Sequence, residues 1–206
     1  MKSILLSVIS FLLVMNVCGK NDVDMRTYLK KVLSNLDKVE SASYHEQSQS
    51  WQPGDTTAIT NSFRFIKEYT NPSDSTIGAS YVALNAKDTT RFEFGYDGKV
   101  KMISFHEHKG IMIDDFTTRK LPFRLVGPPF FCYSRNIIGY ALSTGDSITT
   151  EWKDLGEAYY FKLVIHEDKQ VEFFGKAYYI PKPPFDLGDP TSIYELWINK
   201  SDDLPY

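Results

Sequence analysis

The chain is 206 residues long, 42% hydrophobic, 15% aromatic and 24% charged, with a formal net charge of -3. That length suits one domain with a substantial core, and the ordinary charged fraction excludes wholesale disorder. The acidic balance excludes the basic face of a nucleic-acid binder, and two cysteines exclude a disulfide scaffold.

Met1-Lys2-Ser3 gives a short basic start, and Ile4 to Val17 is apolar apart from Ser7, Ser10 and Asn16. A run of about 14 residues is shorter than the roughly 20 that cross a bilayer as a helix, so residues 1–19 read as a signal peptide. The remainder, 20–206, is expected to be one exported β domain. Cys18 directly follows the apolar run, where a bacterial lipoprotein carries its lipid, although Val17 stands where a small residue is usual. Ordinary cleavage after Gly19 is the alternative. If Cys18 is acylated or removed, Cys132 remains alone between Phe131 and Tyr133 and reads as a buried structural thiol.

Met25, Tyr28, Leu29, Val32, Leu33, Leu36 and Val39 recur at helical spacing and predict a helix over 24–40, capped by Asp22 or Asp24. From Ser43 the period falls to two. Strands are expected at 43–51, 62–70, 79–85, 89–95, 99–107, 110–116, 147–153, 157–166, 169–174, 176–180 and 191–199, punctuated by turns such as Asn71-Pro72-Ser73 and Asp154-Leu155-Gly156. A second helix is expected over 129–142, with Pro129 in its first turn and Gly139 as a weak point. So many strands with so few helices predict an α+β fold built on an antiparallel meander.

At Asp97-Gly98 a three-residue loop with Gly98 left-handed pairs Phe94 with Val100 and Phe92 with Met102, placing four apolar side chains on one face. Tyr159, Phe161, Leu163 and Ile165 share a face, and Tyr160, Lys162 and Val164 the other. Large aromatics on both faces imply a sheet that wraps a helix or encloses a cavity. Leu204-Pro205-Tyr206 begins a partner for the strand at 191–199. Because a bare edge is a liability, the chain is expected to continue beyond Tyr206.

The sequence holds no nucleotide, dithiol or nucleophile-elbow motif, and no cofactor is expected. His106-Glu107-His108 is the one dense ligand-like cluster. On a strand its two imidazoles would point the same way about 7 Å apart, with His45, Glu46 or His166 as available partners. Asp114-Asp115 and Glu167-Asp168 are adjacent carboxylates that a strand would turn to opposite faces, and both read as solvated.

The helix Tyr28 to Val39, followed by Ser43-Tyr44 and Trp51-Gln52-Pro53-Gly54-Asp55-Thr56, resembles the N-terminal region of exported TlpA-type thioredoxin-like thiol-disulfide oxidoreductases. Phe94-Gly95-Tyr96-Asp97-Gly98-Lys99, Tyr194-Glu195-Leu196-Trp197-Ile198 and Asp203-Leu204-Pro205-Tyr206 carry the same resemblance. It implies a shape similar to lipoprotein carriers of the LolA/LolB type, a curved antiparallel sheet forming an incomplete barrel closed by helices. It also implies periplasmic or outer-membrane-anchored residence in a Gram-negative bacterium. The redox domain and its C-x-x-C are absent from these residues, so disulfide chemistry is not expected of this chain. Two functions are compatible with it. One is a non-catalytic binding or scaffold domain for a lipid, another apolar ligand or an envelope protein, membrane-bound only through Cys18, with Phe92, Phe94, Met102, Tyr160 and Trp197 as candidate contacts. The other is a metal-dependent or hydrolytic enzyme using His106, His108 and nearby carboxylates.

Overall fold

The computed structural model describes residues 24–52, 54–117, 126–145, 148–165, 171, 173 and 192–206. Within them lie helix α1 (Met25–Leu36), strands β1 (Ser41–Ser50), β2 (Thr60–Thr70), β3 (Ala79–Asn85), β4 (Phe92–Tyr96), β5 (Val100–Phe105) and β6 (Gly110–Asp115), then helix α2 (Phe130–Ser143). Strands β7 (Ile148–Asp154), β8 (Ala158–Ile165), β9 (Ser192–Asn199) and β10 (Leu204–Pro205) follow. The fold is α+β. Strands β1 to β6 form one antiparallel sheet in sequence order, and a second sheet runs β10-β9-β8-β7. Neither sheet closes on itself. The expected signal peptide, Cys18, His166, Glu167-Asp168 and the strand at 176–180 lie outside the described residues, as does the strand at 169–174 apart from Val171 and Phe173.

Helix α1 starts where Asp24 accepts the Thr27 N–H at 2.9 Å, satisfying one of the orphan donors of its first turn. It ends at Leu36, four residues before the expected boundary. The N–H groups of Lys38 and Val39 turn back to the Asn35 and Leu36 carbonyls, and the chain is then drawn into β1. Tyr28, Leu29, Val32 and Leu36 are buried, whereas Leu33 is only partly so. This stripe meets the face of the second sheet that carries Tyr159, Phe161, Leu163 and Ile165, together with Leu196, Ile198 and the α2 residues Ile137, Ile138 and Tyr140. A smaller core joins Ile77 of the β2–β3 loop and Ala79, Tyr81 and Tyr96 of the first sheet to Cys132 of α2. Helix α2 therefore belongs to both cores. Cys132 is buried as expected, its thiol donating to the Ile77 carbonyl at 3.2 Å.

The β4–β5 hairpin takes a register different from the expected one. Asp97 accepts the N–H groups of Lys99 and Val100 at 2.8 and 2.7 Å, and its own N–H donates to the Val100 carbonyl. The loop is thus the two residues Gly98-Lys99, and the partner of Phe94 lies three residues beyond the expected Val100. Gly98 has the positive φ the expectation required, 101°, and a Cβ there would lie 2.6 Å from the Asn71 side chain. Phe94 pairs with Ile103 and Gly95 with Met102, so Met102 stands on the face opposite Phe94. A register shift between Ala83 and Leu84 places Phe92 across from Leu84. Phe92 and Phe94 therefore also occupy different faces.

Candidate functional site

Edge strands β1 and β10, one from each sheet, border a common opening. Here Ala42 to Gln47 form one wall and Leu204, Pro205 and Tyr206 the other. Pro128, Phe130, Phe131 and Tyr133 make the floor of a groove of about 620 Å³. A smaller pocket of about 240 Å³ continues under the first sheet and is lined by Tyr44, Ile66, Tyr81, Phe94 and Lys101. The walls are held from behind. On the β10 side, the Tyr28 hydroxyl donates to Asp203, and the Lys31 ammonium lies 2.6 Å from the same carboxylate. Helix α1 thereby fixes the turn that delivers Leu204.

The floor depends on how α2 begins. Pro129 sits at its N-cap and offers no side-chain acceptor, so the first N–H groups of the helix need partners from elsewhere. The neighbouring sheet supplies them. Tyr44 of β1 accepts the Phe130 N–H at 2.8 Å. Glu68 of β2 accepts the Phe131 and Cys132 N–H groups at 3.1 and 3.0 Å and the Tyr44 hydroxyl at 3.1 Å. Burial pushes the Glu68 carboxyl above the usual glutamate range, against the pull of the Phe131 and Cys132 N–H groups. Burial and the adjacent Glu68 carboxylate raise the Tyr44 phenol, which keeps its proton and remains a donor. The cap is a tertiary one, and it positions Phe130 and Phe131 as the groove floor.

The residues singled out from sequence alternation are spread over three surfaces. Phe94 faces inward, lines the smaller pocket and lies under the Arg64 guanidinium, 5.0 Å from ring centroid to charge. Phe92 and Met102 lie on the outer face of the first sheet. Tyr160 and Trp197 pair on the outer face of the second sheet with ring centroids 5.3 Å apart, and the Tyr160 hydroxyl donates to Glu195 at 2.6 Å. None but Phe94 reaches a pocket described above. The groove residues Tyr44, Phe130, Phe131, Tyr133 and Leu204 were not singled out as ligand contacts. The doublets Pro128-Pro129 and Phe130-Phe131 were the available signal, an abrupt helix start carrying two adjacent rings.

His106 to His108 form an exposed 3-10 turn between β5 and β6 rather than the end of a strand. The His106 imidazole lies 2.7 Å from the Phe92 carbonyl and braces the hairpin. Asp114 is buried, contrary to the solvated reading, and stands opposite Lys101 in register. Among the described residues no three His, Cys, Asp or Glu side chains gather in a metal-holding arrangement. None of the described helices is long and apolar enough to cross a membrane. What the groove offers chemically is apolar area and aromatic edges, together with polar side chains that include His45, Glu46, Gln47 and Asp202. Comparison with family models, curated proteins and solved structures finds no match.

Proposed function

We propose that the chain is an exported, non-catalytic binding or scaffold module that holds an apolar ligand or an apolar segment of a protein partner between its two sheets. The observation that carries this reading is the groove between β1 and β10, floored by Phe130, Phe131 and Tyr133 and walled by Leu204 and Pro205. Its volume falls within the roughly 300–1,000 Å³ of ordinary ligand sites, and burying apolar surface there is worth about 25 cal/mol per Å². Two open antiparallel sheets around a shared helix also support a carrier-like incomplete barrel of the LolA/LolB type. The sequence phrases that resemble TlpA-type N-terminal regions favour a role beside a redox partner rather than in the redox step.

Titration with a fluorescent fatty acid tests the ligand-holding reading. Saturable binding is expected, weakened at least about tenfold by Leu204→Glu, which puts a charge on the groove wall where a buried unpaired charge is costly. Equal binding by the wild type and a correctly folded Leu204→Glu variant would place the apolar ligand elsewhere.

A further inference from the structure

We infer that the occupant of the groove is an extended polypeptide segment of a partner protein, added as a strand to the open edge of β1. This rests on the groove being the binding site and specifies what fills it. The Thr70 N–H donates to the Glu40 carbonyl, and Ser41 lies opposite Tyr69. In an antiparallel ladder, hydrogen-bonded pairs alternate with non-bonded ones. Ala42, Tyr44, Glu46 and Ser48 therefore direct their backbone groups to β2, whereas Ser43, His45 and Gln47 direct theirs away from it, along the groove. Among the described residues those outward groups have no hydrogen-bond partner.

An acyl chain could cover the aromatic floor but could satisfy none of these donors and acceptors. Another backbone satisfies both, which is the chemistry of strand addition. The construction of the edge agrees. Natural edge strands are blunted by proline, lysine, bulges or shortness. Strand β1 has ten residues, SASYHEQSQS, paired with β2 without a register shift, and contains neither proline nor lysine; its one carboxylate, Glu46, is paired with Arg64 at 2.7 Å. Across the groove β10 has two residues, and one of them is Pro205. Since Tyr206 donates to the Trp197 carbonyl, the alternation turns the nitrogen of Pro205 toward the groove, where it presents no donor. One wall is open to pairing and the other is closed to it.

The stretch Ala42 to Gln47 spans about 20 Å as a strand, enough to pair five or six residues of a guest. Guest side chains opposite Tyr44 would point to the floor and those opposite His45 away from it. The fitting segment is therefore extended, with apolar residues at every second position.

The test uses the full chain and a fluorescein-labelled nine-residue peptide of alternating valine and threonine with a lysine at each end. Fluorescence anisotropy is read beside titration with the fluorescent fatty acid. The peptide is expected to bind saturably. Methylating its backbone nitrogens at one alternate set of positions should weaken binding at least tenfold, and methylating the other set should not. His45→Pro removes one outward donor of β1 and should weaken the peptide similarly. Circular dichroism checks that this variant folds, and the methylated peptides decide the matter if it does not. Fatty-acid binding without peptide binding, or peptide binding indifferent to both methylation sets, would overturn strand addition while leaving the groove reading intact. Binding of neither probe would overturn both. A concentration-dependent dimer that the peptide dissociates would make a second copy the occupant and overturn the partner-protein assignment.

Discussion

Asp74 closes the loop between β2 and β3 by accepting the N–H groups of Thr76, Ile77 and Gly78, each at 2.9 Å, and the Tyr96 hydroxyl at 3.0 Å. Burial raises its carboxyl, but these donors outweigh burial and leave it below the ordinary 3.8. Its stabilising contribution is therefore present above about pH 4 and lost as pH falls through the lowered value. Glu68 is the opposite case. Its carboxyl lies above the ordinary 4.5, so its contribution is full below that value and lost as pH rises through the raised one. Asp74→Ala leaves several buried donors unmet and should cost about 1–3 kcal/mol near neutrality. Urea midpoints should fall less between about pH 5 and pH 3 in this variant than in the wild type. Relative to Glu68→Gln, the wild type should instead lose ground as pH rises from about 4.5. If all three proteins show parallel pH profiles, neither carboxylate carries the linkage assigned to it.

The α1 stripe makes the same kind of argument at the level of an element. Leu29 is 1% exposed in the main core, whereas Leu33 sits at its margin. Leu29→Ala should cost about 2–5 kcal/mol through lost transfer energy and a residual cavity, and Leu33→Ala distinctly less. Equal urea midpoints for the two variants would mean that the stripe is oriented wrongly. Helix and strand identities were legible in sequence because periods of 3.6 and two are local signals, as in Tyr28 to Leu36 and Tyr159 to Ile165. Register and face were less so. The Asp97 side chain moved the hairpin loop to Gly98-Lys99, and a bulge beside Leu84 moved Phe92. Alternation tells which side chains share a face and is silent on what that face meets. The groove was illegible for the same reason: Tyr44, Phe131 and Leu204 come from three distant elements, and only the tertiary cap on α2 brings them together.

Across the whole molecule, α2 is the member on which both sheets depend. Its first turn is fastened to the six-stranded sheet by Tyr44 and Glu68, and Cys132 enters the smaller core. Its later turns place Ile137, Ile138 and Tyr140 in the larger core with α1 and the four-stranded sheet. The two attachments differ in kind. The second rests on extensive apolar burial, the first on a few hydrogen bonds to one carboxylate and a small cluster. Glu68→Ala strands the Phe131 and Cys132 N–H groups and the Tyr44 hydroxyl, at about 1–3 kcal/mol, and acts only on the first attachment. Native-state hydrogen exchange should therefore show faster amide exchange at Ile66, Tyr81 and Phe131, while Phe161, Leu163 and Ile198 keep their protection. The first sheet would open as a sub-global unit around a groove whose floor had loosened. Uniform loss of protection in both sheets would instead show a single cooperative unit, in which the cap contributes to global stability and has no separate hold on the groove.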